Sequence, residues 1–228
     1  MIKAIIFDMD GLLIDSEPIW QEVEIDTLSK LDVPIDHQNV SETQGMRNDQ
    51  VVKYWYNKHP WDFPDIQNVE NEILKRVRSA ITSKGKAMPC AKKVVELCKR
   101  AGYSTAIASS SPISLINDDI QKLDIADYID IIHSGYDEIN SKPHPAIFLG
   151  TAKKLGVSPG ECVVFEDSTN GVLAAKRAGM FCIAVPPKNF DPKKYRDADI
   201  ILNSLTDFDV SLLPNVIQQP LPKRQLHQ

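Results

Sequence analysis

The stretch AIIFDMDGLLIDSE, residues 4–17, decides how this chain is read. Ala4 to Phe7 is a short continuous apolar run, the pattern of a strand buried on both faces. Asp8 and Asp10 follow at once. At i and i+2 of an extended chain their carboxyls leave on the same side. Two like charges placed there are costly unless a cation binds between them or one is protonated. Gly11 behind them permits a turn.

Working outward, no comparable apolar run occurs from Asp15 to Lys86. Trp20, Val23, Leu28 and Leu31, then Val51, Val52 and Trp55, then Ile66, Val69, Ile73, Val77 and Ile81 recur at helical spacing, punctuated by Pro34, Pro60 and Pro64. That block predicts helices only. From Met88 onward helices and strands alternate. Pro89 suits a first helical position, and Ala91, Val94, Val95 and Cys98 share one face. Arg-Ala-Gly at 100–102 and again at 177–179 ends a helix, with Gly as the left-handed terminal residue. Strands are expected over Thr105–Ala108, Ile129–His133, Cys162–Phe165 and Cys182–Val185, and a helix over Pro145–Leu155. The result is an α/β fold with a parallel sheet covered on both faces, interrupted early by a helical insertion. Open α/β sheets place their chemistry at the carboxyl ends of the strands.

Each strand end carries polar residues with an ordinary structural explanation. Ser111-Pro112 reads as a helix cap and first turn, leaving Ser109 and Ser110 with hydroxyls suited to an anion. Ser141-Lys142-Pro143-His144-Pro145 offers a cation just before a helix; His144 lacks a nearby ligand partner. After Val163-Val164-Phe165 come Glu166, Asp167 and Ser168, where Asp167 or Ser168 could cap the next helix. Four such sites at four strand ends exceed what capping explains.

In this order, DMDGLLIDSE, the run into ASSS, SKPHP and VVFEDSTNG resemble the four motifs of the haloacid dehalogenase superfamily, and more narrowly its sugar-phosphate and hexitol-phosphate phosphatases and β-phosphoglucomutases. The resemblance implies a Rossmann-like doubly wound parallel sheet formed by residues 1–14 and 88–213, a small all-helical cap over 15–87 and a loose tail over 214–228. It implies Asp8 as nucleophile and Asp10 as general acid and base, with Mg²⁺ held by Asp8, Asp10 through its carbonyl, Asp167 and Glu166. Ser109, Ser110 and Lys142 would hold the phosphoryl group; Glu17, Trp20, Arg47 and Asn48 would face the substrate from the cap. The implied activity is hydrolysis of small phosphate monoesters, of sugars or sugar alcohols, through an aspartyl phosphate. A β-phosphoglucomutase-type mutase and a pseudouridine 5′-phosphate-type nucleoside phosphatase are the alternatives. Mutases of this kind carry histidine where Trp20 stands, and an indole transfers no proton, which favours hydrolase.

Composition sets the outer limits. With 26 basic and 31 acidic residues and a net charge of −5, the chain lacks the cationic excess that binds nucleic acid. No apolar run reaches a membrane span, and Met1 to Phe7 is too short for a signal-peptide core, so a cytoplasmic protein is expected. Cys90, Cys98, Cys162 and Cys182 form no CxxC pair and read as buried small hydrophobes. The expected partner is a small phosphorylated metabolite, and the expected state a monomer.

Overall fold

The computed structural model describes residues 1–188 and 190–214, so most of the expected tail lies outside the described residues. Strand β1 (Ala4–Phe7) leads into three helices, α1 (Glu17–Leu28), α2 (Asn48–Lys58) and α3 (Ile66–Lys84). The chain then alternates: α4 (Ala91–Arg100), β2 (Ser104–Ser109), α5 (Ile113–Lys122), β3 (Ile131–Ser134), α6 (Ala146–Leu155), β4 (Cys162–Glu166), α7 (Thr169–Arg177), β5 (Phe181–Ala184) and a two-residue β6 (Ile200–Ile201).

All six strands are parallel, in the order β3-β2-β1-β4-β5-β6. Side-chain alternation divides them between two layers. Ile5, Phe7, Ile107, Val163, Phe165 and Ile183 meet Val94, Val95 and Cys98 of α4 and Leu115, Ile116 and Ile120 of α5. Ala4, Ile6, Ala106, Ala108, Cys162, Val164, Cys182 and Ala184 meet α6 and α7 through Ile147, Phe148, Val172, Ala174 and Ala175. Alanine on the second face lets its helices approach closely.

The insertion forms the helical cap. Val69, Ile73, Val77 and Ile81 make a buried stripe along α3 that packs with Val51, Val52 and Trp55 of α2 and Val23 and Leu28 of α1. The chain leaves and re-enters the sheet domain side by side, with Asp15 N–H donating to Lys86 O at 2.8 Å and Met88 N–H to Leu13 O at 2.9 Å.

Gly102 and Gly179 both adopt left-handed backbone, at φ +90° and +76°. Two expected boundaries shift. Helix α4 begins at Ala91 rather than Pro89, because Cys90 turns left-handed at φ +63°. Strand β3 begins at Ile131 rather than Ile129, after the short 3₁₀ turn Ala126–Tyr128. Strand β6 carries no sequence signal, since a two-residue strand shows no periodicity. No described helix is long and apolar enough to cross a membrane.

Candidate active site

The strand order reverses beside β1: β2 and β3 extend the sheet one way, β4 to β6 the other. A crevice forms at such a switch point, outside the carboxyl ends of the adjoining strands. Phe7 pairs with Phe165, so the next residues, Asp8 and Glu166, emerge side by side; Asp8 N–H donates to Phe165 O at 3.0 Å. Carboxylate oxygens of Asp8, Glu166 and Asp167 lie within 4.8 Å of one another.

Lys142 enters this acidic cluster from the loop before α6. Its Nζ donates to Asp8 Oδ1 and Glu166 Oε1, each at 2.5 Å, with only 1 % of the side chain exposed. Glu166 is fully buried, and its other oxygen accepts from the Ser168 N–H and hydroxyl, both at 3.0 Å. Ser168, not Asp167, caps α7, accepting from Gly171 N–H. Asp167 is therefore free to face the cleft.

One lysine does not balance three buried carboxyls. Burial pushes the Asp8 carboxyl up to about 8; Lys142 opposes that, while Glu166 and Asp10 add to it. Asp167 is raised well above the usual range by burial first, then by Glu166 and Asp8. Burial works against the charge on Lys142, but Asp8 and Glu166 outweigh it and raise its pKa. A buried, negatively unbalanced cluster of hard oxygen donors fits a divalent cation.

Asp10 sits under four donors. Ser16 Oγ (2.8 Å) and Trp20 Nε1 (2.9 Å) reach Oδ1; Ser111 Oγ (2.7 Å) and Ser109 Oγ (3.2 Å) reach Oδ2. Here the expectation for Ser111 is corrected. Helix α5 starts at Ile113 with Pro112 in the cap position, and the Ser111 hydroxyl serves Asp10 instead. Ser16 likewise makes no side-chain cap at α1.

The cap closes over these residues. The cleft holds about 560 Å³ of non-atom space, its open mouth included. Its walls contain Asp8, Asp10, Ser110, Ser111 and Asp167 from the sheet domain, and Glu17, Trp20, Glu24, Gln44 and Asn48 from the cap. Ser110 Oγ donates to Gly45 O at 2.8 Å, and Gln44 Nε2 to Asp167 Oδ2 at 3.1 Å. Arg47 is placed differently from its expected role. It is paired bidentately with Asp49, and its Nη1 donates to Gly135 O at 2.7 Å and Glu138 O at 2.5 Å. Its guanidinium latches the cap to the sheet domain and lies outside the cleft walls. His144 is exposed, with Nδ1 accepting from Ala146 N–H at 3.2 Å, away from the cluster.

Sequence reasoning missed Ser16, Ser111, Gln44 and Glu24. Glu24 alone had a readable signal: with Glu17 and Trp20 it completes an i, i+3, i+7 stripe on α1.

Comparison with known proteins adds to this geometry. A family model described as haloacid dehalogenase-like hydrolase matches residues 2–179. Hexitol phosphatase B of Escherichia coli (strain K12) is 40% identical over 208 residues, covering 90% of this chain and 94% of that protein. The crystal structure of CbbY from Rhodobacter sphaeroides in complex with xylulose-(1,5)bisphosphate aligns with a TM-score of 0.76 at 25% identity, covering 91% of this chain and 96% of that one. β-Phosphoglucomutase from Clostridium difficile aligns with a TM-score of 0.80 at 24% identity, covering 92% and 95%, a likeness of fold.

Proposed function

The chain belongs to the haloacid dehalogenase-like hydrolases, and on that premise we propose that it is a Mg²⁺-dependent phosphatase of small phosphate monoesters, those of sugars or sugar alcohols. The observation that carries this reading is Asp8, 2.5 Å from Lys142 and grouped with Glu166 and Asp167, beneath a cleft that Asp10 also lines.

Asp8, Glu166 and Asp167 would hold the metal, with the Asp10 carbonyl as a further donor. Mg²⁺ would neutralise carboxylate charge and draw charge from the phosphoryl oxygens. Asp8 attacks phosphorus and forms an aspartyl phosphate as the bond to the leaving oxygen breaks. Lys142 and Ser109 steady the transferring oxygens, and Ser110 stands at the cleft wall beside them. Asp10 gives its proton to the leaving alcohol, then takes one from the water that releases phosphate and restores Asp8.

The donors around Asp10 fix the orientation of its carboxyl. Serine hydroxyls rotate and can accept as well as donate, whereas the Trp20 indole only donates. Trp20 therefore keeps Oδ1 an acceptor, while the Ser109 and Ser111 hydroxyls reach Oδ2. A residue that cannot carry a proton at this position favours hydrolysis over a mutase cycle.

The test is phosphate release from p-nitrophenyl phosphate and a hexitol 6-phosphate, with Mg²⁺ and with excess EDTA. Mg²⁺-dependent release from both is expected. No release from any ester, or release indifferent to EDTA, would overturn the reading. Dominant conversion of β-glucose 1-phosphate to glucose 6-phosphate would replace it with a mutase.

A further inference from the structure

The carboxyls of the acidic cluster are not all held from the same side. Lys142 bonds Asp8 and Glu166, and Ser168 bonds Glu166 again, so both are fixed from within the sheet domain. Asp167 is fixed from the cap. Gln44 Nε2 donates to its Oδ2 at 3.1 Å, and among the described residues no other hydrogen bond reaches that carboxyl. Its main chain is pinned separately, with the Tyr195 hydroxyl donating to Asp167 O at 2.7 Å. What Gln44 governs is therefore the rotation of the carboxyl on a fixed backbone.

A tight turn brings Gln44 to this spot. Met46 N–H donates to Thr43 O at 3.0 Å, Gln44 has φ −54° and ψ 134°, and Gly45 has φ +79°. These angles are those of a type II turn, whose third residue is glycine because its φ is positive. The sheet domain meets the tip of that turn closely. Asn170 Nδ2 donates to Gln44 O at 2.9 Å, Ser110 Oγ donates to Gly45 O at 2.8 Å, and a Cβ on Gly45 would fall 2.3 Å from Ser168 Oγ. Asn170 stands in the first turn of α7, and Ser168 is the residue that bonds Glu166. The turn thus belongs to the cap but rests on the segment that carries Glu166 and Asp167.

We propose that Gln44 is a positioning residue for Asp167, through which closure of the cap and binding of the divalent cation favour each other. This rests on the metal assignment in the phosphatase reading and adds a coupling to it. An ionised carboxyl offers about four lone-pair sites on two oxygens, so it can accept the amide and bind a cation at once. The amide donor favours the charged form and a single orientation, and a cation needs both. When the cap lifts, Asp167 loses that donor and its affinity for the cation falls. Linkage makes the effect reciprocal: a bound cation, which keeps Asp167 ionised and oriented, holds the cap down by the same factor. The cation is held most tightly when the cleft is closed.

Isothermal titration calorimetry with Mg²⁺ alone, without any ester, tests the coupling in the unmodified chain, Gln44→Met and Asn170→Ala. Gln44→Met keeps the length of the side chain and removes the donor. Its Kd for Mg²⁺ should rise about tenfold, the low end for the partner of a metal-binding side chain. Asn170→Ala leaves the Gln44 amide in place and frees its backbone, so Kd should rise by a smaller factor. Hydrogen exchange over residues 40–48 gives the reciprocal measurement. Mg²⁺ should slow it in the unmodified chain and leave it unchanged in Gln44→Met. A contact that only packs the cap would alter KM for p-nitrophenyl phosphate and leave the Mg²⁺ Kd unmoved. Unchanged far-UV circular dichroism shows that the variants fold. An unchanged Kd in Gln44→Met would overturn the proposal, and so would exchange indifferent to Mg²⁺ in the unmodified chain. Absence of Mg²⁺ binding by the unmodified chain would instead bring down the metal assignment of the phosphatase reading itself.

Discussion

Trp20 Nε1 donates to Asp10 Oδ1 at 2.9 Å, so a side chain of the first cap helix directly holds a carboxylate of the sheet domain. Cap position and the orientation of Asp10 are thereby linked. The bond also explains a half-buried tryptophan on a helix whose Val23, Thr27 and Leu28 supply its buried face.

Trp20→Phe keeps the ring and removes the donor. We expect kcat to fall about tenfold, the weight of one hydrogen bond to a charged group, with a smaller change in KM. Steady-state kinetics on p-nitrophenyl phosphate checks this. An unchanged kcat would show that the indole does not position Asp10.

Asp8→Asn should abolish phosphate release while far-UV circular dichroism stays that of the unmodified chain. It should also shrink the rise in Tm that Mg²⁺ produces, because a ligand binding only the folded state stabilises in proportion to its affinity. Retained turnover would remove Asp8 from the nucleophile role.

Lys142→Met removes the cation of this cluster and leaves Asp8 and Glu166 facing each other. Breaking a buried pair in this way costs about 3–5 kcal/mol, which urea unfolding without metal would detect. A loss below about 1 kcal/mol would mean that the carboxyls reprotonate without penalty.

Gly171→Ala tests how tightly Glu166 is held. A Cβ at 171 would fall 1.8 Å from Glu166 Oε1 and 1.9 Å from its Cδ, so the buried carboxyl must move off Lys142. We expect a loss of about 1–3 kcal/mol in stability together with reduced turnover. Gly11 serves Asp167 similarly, at φ +79° with a Cβ position 2.3 Å from Asp167 Oδ2.

His133 should shape the acid limb of stability. Its ring is 1 % exposed, with Nδ1 2.9 Å from Thr151 Oγ1, and burial holds its pKa below the usual 6.5, with Lys154 adding to the effect. The unfolded chain gains this proton near pH 6.5 and the folded chain only lower, so U binds more protons within that window. The stabilisation is complete above pH 6.5 and is lost as pH falls toward the folded value. Buried carboxyls such as Asp8 pull the other way over the same range in both proteins, so the readout is the difference: between pH 7.5 and 5 the urea midpoint of the unmodified chain should fall relative to that of His133→Gln.

What could be read from the chain, and what could not, follows from the range of each interaction. Ala4–Phe7 announces a buried strand because its neighbours in sequence suffice to show it. Gly102 and Gly179 announce helix ends for the same reason. Ser111 was misleading because Ser-Pro before a helix is a good local cap, whereas its partner Asp10 stands 101 residues away. Arg47 differs for the same reason: expected to reach the substrate from the cap, it is held by carbonyls 88 and 91 residues further on.

Strand periodicity, turn chemistry and the acids and lysine at strand ends are local or depend on the order of elements. The sequence by itself therefore determined an α/β sheet with a helical insertion, and which polar residues stand at its strand ends. Only the tertiary structure decided that Lys142 lies between Asp8 and Glu166, that Trp20 reaches Asp10, and that Glu24 and Asn48 face the cleft while Arg47 does not. Those outcomes depend on how the cap packs onto the sheet, through contacts between residues far apart in the chain.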